Sequence, residues 1–192
     1  VARSVPTAVN ILQLNSEKVY LSGGKITITD PHAANGLTDF AFIYNNLVGA
    51  NANNLRFGLN HTIQFGDSLS TNAGGNIRGF YIATNYSSRN VAFGKVIINT
   101  APGLNRNGVS FYNSTSAVLS DLVVKKGNLK LSGTLRVAGN IINNDTISTT
   151  GTLRLSKFAY GVDSVVSNPQ SISGTGIFRN LDNPTTFTAG LT

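Results

Sequence analysis

The sequence predicts an all-β protein, and three features carry that expectation. Turn-forming and small polar residues dominate, with 20 Gly, 24 Asn, 18 Ser and 19 Thr in 192 residues. Charged residues make up only 12%, and nowhere is the Glu/Lys-flanked 3.6-residue pattern of a surface helix sustained. Short alternating runs of aliphatic or aromatic residues recur instead between Gly- and Asn-rich clusters, as strands joined by turns do. The specific expectation is a β-sandwich or jelly-roll-like body carrying a hexad-repeat β segment.

Taken in order, residues 1–30 read as an arm and a hairpin. The arm is apolar at Val9, Ile11, Leu12 and Leu14. Val19 and Leu21 alternate before Ser22-Gly23-Gly24, and Ile26 and Ile28 after it, so the hairpin is expected to turn there. Asp30-Pro31 ends it. Residues 31–120 are denser in aromatics and read as the sandwich-like body. Strands are expected at Phe40–Tyr44, Leu55–Leu59, Thr62–Phe65, Gly79–Thr84, Val91–Ile98, Val109–Tyr112 and Ala117–Leu119. The candidate core is Phe40, Phe42, Phe57, Leu59, Phe65, Phe80, Ile82, Phe93, Val96, Ile98, Val109 and Phe111. Turn clusters separate them, among them Ala34-Asn35-Gly36 and Asn107-Gly108.

Residues 121–156 then repeat every six: DLVVKK, GNLKLS, GTLRVA, GNIINN, DTISTT, GTLRLS. The first place is Asp or Gly (Asp121, Gly127, Gly133, Gly139, Asp145, Gly151), which suits a bend. The third is aliphatic (Val123, Leu129, Leu135, Ile141, Ile147, Leu153), which suits a short strand. The fifth is apolar in three hexads and polar at Lys125, Asn143 and Thr149. So short a period implies stacked rungs or a ladder of very short strands, although a meander with equal hairpins would share it. With an irregular fifth place, the stretch is expected to complete its core against the rest of the chain or against copies of itself. Residues 157–192 form a β-rich tail with strands at Ser164–Ser167 and Gly176–Arg179.

Composition narrows the function classes. The absence of cysteine removes disulfides and thiolate metal sites. The chain begins at Val1, as a processed product or an excised fragment would, and no apolar run is long enough to span a membrane as a helix. Net charge is +7, but the 15 basic residues are scattered singly apart from Lys125-Lys126, unlike a nucleic-acid interface. The acids are Glu17, Asp30, Asp39, Asp67, Asp121, Asp145, Asp163 and Asp182, with no close pair in sequence, and Asp121 and Asp145 are explained by the bend. His32 and His61 read as solvated loop residues. No catalytic, cofactor or metal site is expected, and the protein reads as a non-enzyme. Four Asn-x-Ser/Thr sequons are what this composition yields by chance. The one surface that invites a ligand is Tyr81, Tyr86 and Arg89, whose rings and guanidinium suit a cell-surface glycan.

The run Gly127-Asn-Leu-Lys-Leu-Ser-Gly-Thr-Leu-Arg-Val-Ala-Gly-Asn-Ile141 resembles the Gly-x-Leu-x-Val-x-Gly shafts of bacteriophage tail fibres and related virion appendages. In such shafts strands from three chains commonly intertwine around a shared axis. The resemblance implies a structural subunit located on a virion, an extracellular assembly or a cell surface. Its partners would be copies of itself, as a trimer or filament, and other virion or surface proteins, and it could contribute to host attachment. The driving force would be burial of third-place aliphatics left half-exposed by a single copy. Two alternatives remain at this level. One is a secreted pilus or filament subunit donating Thr7–Leu14 as a strand. The other is a carbohydrate-binding β-protein using Tyr81–Arg89.

Overall fold

The computed structural model describes residues 10–14, 19–29, 40–44, 55–69, 80–84, 91–100, 108–112, 115–155, 159–160, 163–164, 170–180 and 188–189. Among these there are twenty strands and no helix. They wind in successive coils. The first holds β1 (Asn10–Leu14) and β2 (Val19–Ile28), the second β3 (Phe40–Tyr44) and β4 (Leu55–Phe65). The third holds β5 (Phe80–Thr84), β6 (Val91–Phe93) and β7 (Lys95–Asn99), the fourth β8 (Gly108–Tyr112), β9 (Thr115–Val118) and β10 (Leu122–Lys126). The fifth holds β11 (Asn128–Leu131), β12 (Thr134–Val137) and β13 (Ile141–Asn143). The sixth begins with β14 (Thr146–Thr149) and β15 (Thr152–Leu155), carries β16 (Ala159–Tyr160) and β17 (Asp163–Ser164), and closes on β18 (Ile172–Ser173). β19 (Ile177–Asn180) and β20 (Thr188–Ala189) open a seventh.

Each strand pairs with the strand one coil away, and every pairing is parallel except the small antiparallel β16–β17 ladder. The first face is β1-β3-β5-β8-β11-β14-β19. The second and third faces form one sheet, because β2 and β4 each run around the corner between them. β4 meets β6 at Arg56 and β7 over Thr62–Phe65. The result is a three-faced β-solenoid.

In the repeat, Leu129 lies beside Ile147 and Leu135 beside Leu153, each eighteen residues on. Three hexads therefore make one coil, one hexad to a face. The bends stack too. Gly127 takes φ 91°, which only glycine adopts without strain. A Cβ on Gly151 would lie 2.0 Å from the Gly133 carbonyl oxygen of the coil before it.

The expected strands of the body are present, but not the sandwich. Strand pairs in it join residues far apart, such as Phe42 with Ile82 and Ile82 with Phe111, and run parallel. Inward-outward alternation suits a hairpin and a solenoid rung equally well, so the turn clusters gave no hint that the chain turns corners at them instead of doubling back. The expected N-terminal hairpin is likewise absent. Val19–Ile28 is one continuous strand along β4, with a register shift between Leu21 and Gly23. There Gly58 and Leu59 oppose the single residue Ser22, and this bulge turns Leu59 outward, 44% exposed. Strand Val91–Ile98 is also two strands, broken at Gly94, where a Cβ would meet the carbonyl oxygens of Gly58 and His61.

The core runs down the inside of the coils. Phe57, Phe65, Phe93, Val96, Ile98, Val109 and Phe111 are buried as expected. Ile63, Val96, Leu122 and Ile141 stack on the third face, and Val109, Leu129 and Ile147 on the first. Phe40, Phe42, Phe80 and Ile82 lie in strands whose side chains fall outside the described residues.

Two expectations about the hexads change. Leu122 pairs with Ile141 and Val124 with Asn143, so the first hexad is out of phase by one residue. Its inward residues are Leu122 and Val124, not Val123 and Lys125. A register irregularity between Val124 and Lys126 takes up the extra residue and leaves both lysines exposed. The polar fifth places Asn143 and Thr149 are buried all the same. Each turns its oxygen to the next bend: the Asp145 N–H donates to Asn143 Oδ1 at 3.2 Å, and the Gly151 N–H to Thr149 Oγ1 at 2.8 Å. Side chains that accept from the backbone two residues on close such corners as well as an apolar residue fills them.

Candidate assembly surface

The six aliphatics assigned to the third place are all buried within one chain: Leu129 and Ile147 at 0% exposure, Leu135 and Ile141 at 1%, Leu153 at 5% and Val123 at 7%. The expectation that a single copy leaves them half-exposed is therefore overturned. Neighbouring coils of the same chain cover them, which a sequence period cannot distinguish from cover by another chain. The described part of the supposed donor arm, Asn10–Leu14, is paired with β3.

The exposed large apolar side chains among the described residues are Leu59, Leu69, Ile172 and Ile177, and the two isoleucines lie on the terminal strands β18 and β19. Ile172 continues the inward column above Ile141, yet is 41% exposed. Ile177, beside the outward Thr146, is 53% exposed on the outer side of the coil, and the inward Phe178, beside Ile147, packs only partly on the core. Among the described residues β18, β19 and β20 each pair on one side only, as do β1 and β2 at the other end. Among the described residues each face thus ends on an edge strand at both ends of the stack, and unpaired edge N–H and C=O groups are templates for another strand.

This end is held in a defined shape. The Gly176 N–H donates to the Asn143 carbonyl at 2.8 Å, and Asn143 Nδ2 donates to the Ile177 carbonyl at 3.2 Å. Along the third face a polar column runs to the same end. Lys95 Nζ lies 3.3 Å from Asp121 Oδ2, and Asp121 Oδ1 accepts from the Asn140 N–H and Nδ2. Asn140 Oδ1 in turn accepts from the Ser171 N–H and hydroxyl. Asp121 thus bonds across coils beside Asn140, one place along from the bend assigned to it. Asp145 does sit at a bend, where its Oδ2 accepts from the Gly127 N–H at 2.7 Å.

His61 is not a loop residue. It lies within β4, 2% exposed, its ring stacked on Phe57 at 4.5 Å. Burial holds its pKa below the ordinary 6.5. The unfolded imidazole then takes up a proton before the folded one. This contribution to stability is complete above pH 6.5 and is lost as pH falls below it. Urea midpoints should fall on mild acidification, and His61→Phe should flatten that slope. An unchanged slope would show that His61 does not control it.

His32, Tyr86, Arg89 and the side chain of Tyr81 lie outside the described residues. No group of three potential metal ligands occurs among the described ones, and no described helix is long and apolar enough to cross a membrane. The sequence reading missed the exposed terminal isoleucines, and alternation in Ser171-Ile172-Ser173 is too brief a signal to mark them. No family model, curated protein or solved structure matches the chain.

Proposed function

We propose that the chain is a structural, self-assembling subunit of a virion appendage such as a phage fibre or spike, and that copies stack end to end. The terminal strands β18 and β19, where Ile172 and Phe178 continue the inward columns beside open sheet edges, carry this reading. The two ends of the stack are different surfaces, so their contact is heterologous and propagates along the axis. Parallel pairing would simply continue from one copy to the next. Covering Ile172 contributes about 1 kcal/mol, roughly half the value for a fully buried aliphatic side chain. The edge hydrogen bonds add to this. The Gly127–Ile141 run supports the virion assignment through its resemblance to fibre shafts, with the difference that its apolar rows face the axis of one chain.

The test is particle mass against concentration, by light scattering and negative-stain imaging. The parent chain should form rods that lengthen with concentration. The double variant Ile172→Lys, Ile177→Lys should stay single-copy with an unchanged melting curve. A parent chain that remains single-copy at millimolar concentration sinks the reading.

A further inference from the structure

The second face carries a charged feature that assembly does not use. Its outward positions run in register through Ala117, Arg136 and Arg154. Arg136 and Arg154 therefore project from adjacent parallel strands, whose backbones lie about 4.8 Å apart. Two like charges so placed repel each other unless something negative lies between them. None of the three acids whose side chains are described, Asp67, Asp121 and Asp145, is paired with either arginine. Asp121 is engaged by Lys95 and Asn140, Asp145 by Gly127 and Thr146, and Asp67 by the Leu69 N–H. Arg136 Nε is buried and has no hydrogen-bond partner. Two residues before each arginine, and so on the same outward side, Thr134 and Thr152 pair in register.

We propose that Arg136 and Arg154, with the Thr134 and Thr152 hydroxyls, form a site for a tetrahedral oxyanion ester, a sulfate or phosphate group carried on a glycan. Guanidinium forks match such oxygens in pairs. A bridging dianion removes the repulsion between the stacked charges, and the Arg136 guanidinium, whose Nε is held by no protein acceptor, is free to turn out to it. The two-arginine footprint suits one ester group better than a polynucleotide, which needs a longer run of phosphate contacts.

The experiment is calorimetric titration of the full chain, at fixed ionic strength, with a sulfated oligosaccharide, a phosphorylated one, and a single-stranded oligonucleotide of equal charge. Saturable binding of either oligosaccharide is expected, and the stronger of the two names the ester. Arg136→Gln with Arg154→Gln should weaken it by about tenfold or more, consistent with loss of charge-assisted pairs. Arg136→Lys with Arg154→Lys, which keeps the charge and loses the fork, should recover only part of the affinity. Lys125→Gln with Lys126→Gln removes the same charge at an exposed bend and should change little. Equal losses in the arginine and lysine variants, preference for the oligonucleotide, or no saturable binding would overturn the site. Melting curves identify any variant that fails to fold, in which case the Lys pair of substitutions at 136 and 154 decides.

Discussion

Replacing Gly151 by alanine should destabilise the protein by about 3 kcal/mol or more, beyond the usual cost of overpacking because only backbone is available to give way. The added Cβ would lie 2.0 Å from the Gly133 carbonyl oxygen, 2.8 Å from its carbon and 2.9 Å from its nitrogen. That carbonyl cannot swing aside freely, since it accepts from the Thr152 N–H at 2.9 Å. Gly151 is itself tied to Thr149 Oγ1. Relief therefore requires the two coils to separate at this corner. Gly23→Ala is the control: nothing lies within 4 Å of its added Cβ, and its effect should stay within about 0.5 kcal/mol. Urea unfolding measures both. Equal midpoints for the two variants would mean that the bends are not in close contact.

Phe93→Ala should cost about 3–5 kcal/mol, the range for emptying a large aromatic site in a packed core. Phe93 is fully buried, stacked on Phe57 at 5.4 Å and edge-on to Phe111 at 5.9 Å. Phe57 stacks in turn on His61, so one aromatic column links the second, third and fourth coils. Coils contact mainly their neighbours, and solenoid stability is close to a sum of such nearest-neighbour terms. The loss should therefore be local. Amide exchange should rise around Phe57, Phe93 and Phe111, and much less around Leu135 and Leu153. Uniform acceleration along the chain would show instead that the stack unfolds as one unit. Leu59→Ala, at a side chain 44% exposed, should cost far less.

Much of the local structure was legible in the residues. Strand positions such as Phe40–Tyr44 and the apolar places Leu129, Leu135, Ile147 and Leu153 follow from alternation, because a side chain's face in a strand depends only on its own backbone. Glycine bends at Gly127, Gly133 and Gly151 were legible for the same reason. The candidate surface was not. Ile172 has the same local pattern as Ile141, and only its place on the terminal strand of the third face leaves it bare. His61 was misread because the expected strands Leu55–Leu59 and Thr62–Phe65 left it in the gap between them, while its burial against Phe57 depends on how β4 rounds a corner.

Composition and alternation by themselves determined that the described residues form strands and no helix, where most of those strands lie, and that a six-residue unit recurs in the chain. Only the tertiary structure decided that strands pair in parallel one coil apart, that three hexads close a coil, that the first hexad is slipped by one, and that the aliphatic rows are sealed inside a single copy. The physical reason is that periodicity records which way a side chain points, and parallel and antiparallel partners, near or distant, bury it equally well. Which strand supplies the cover is set by corner geometry and by packing between residues far apart along the chain.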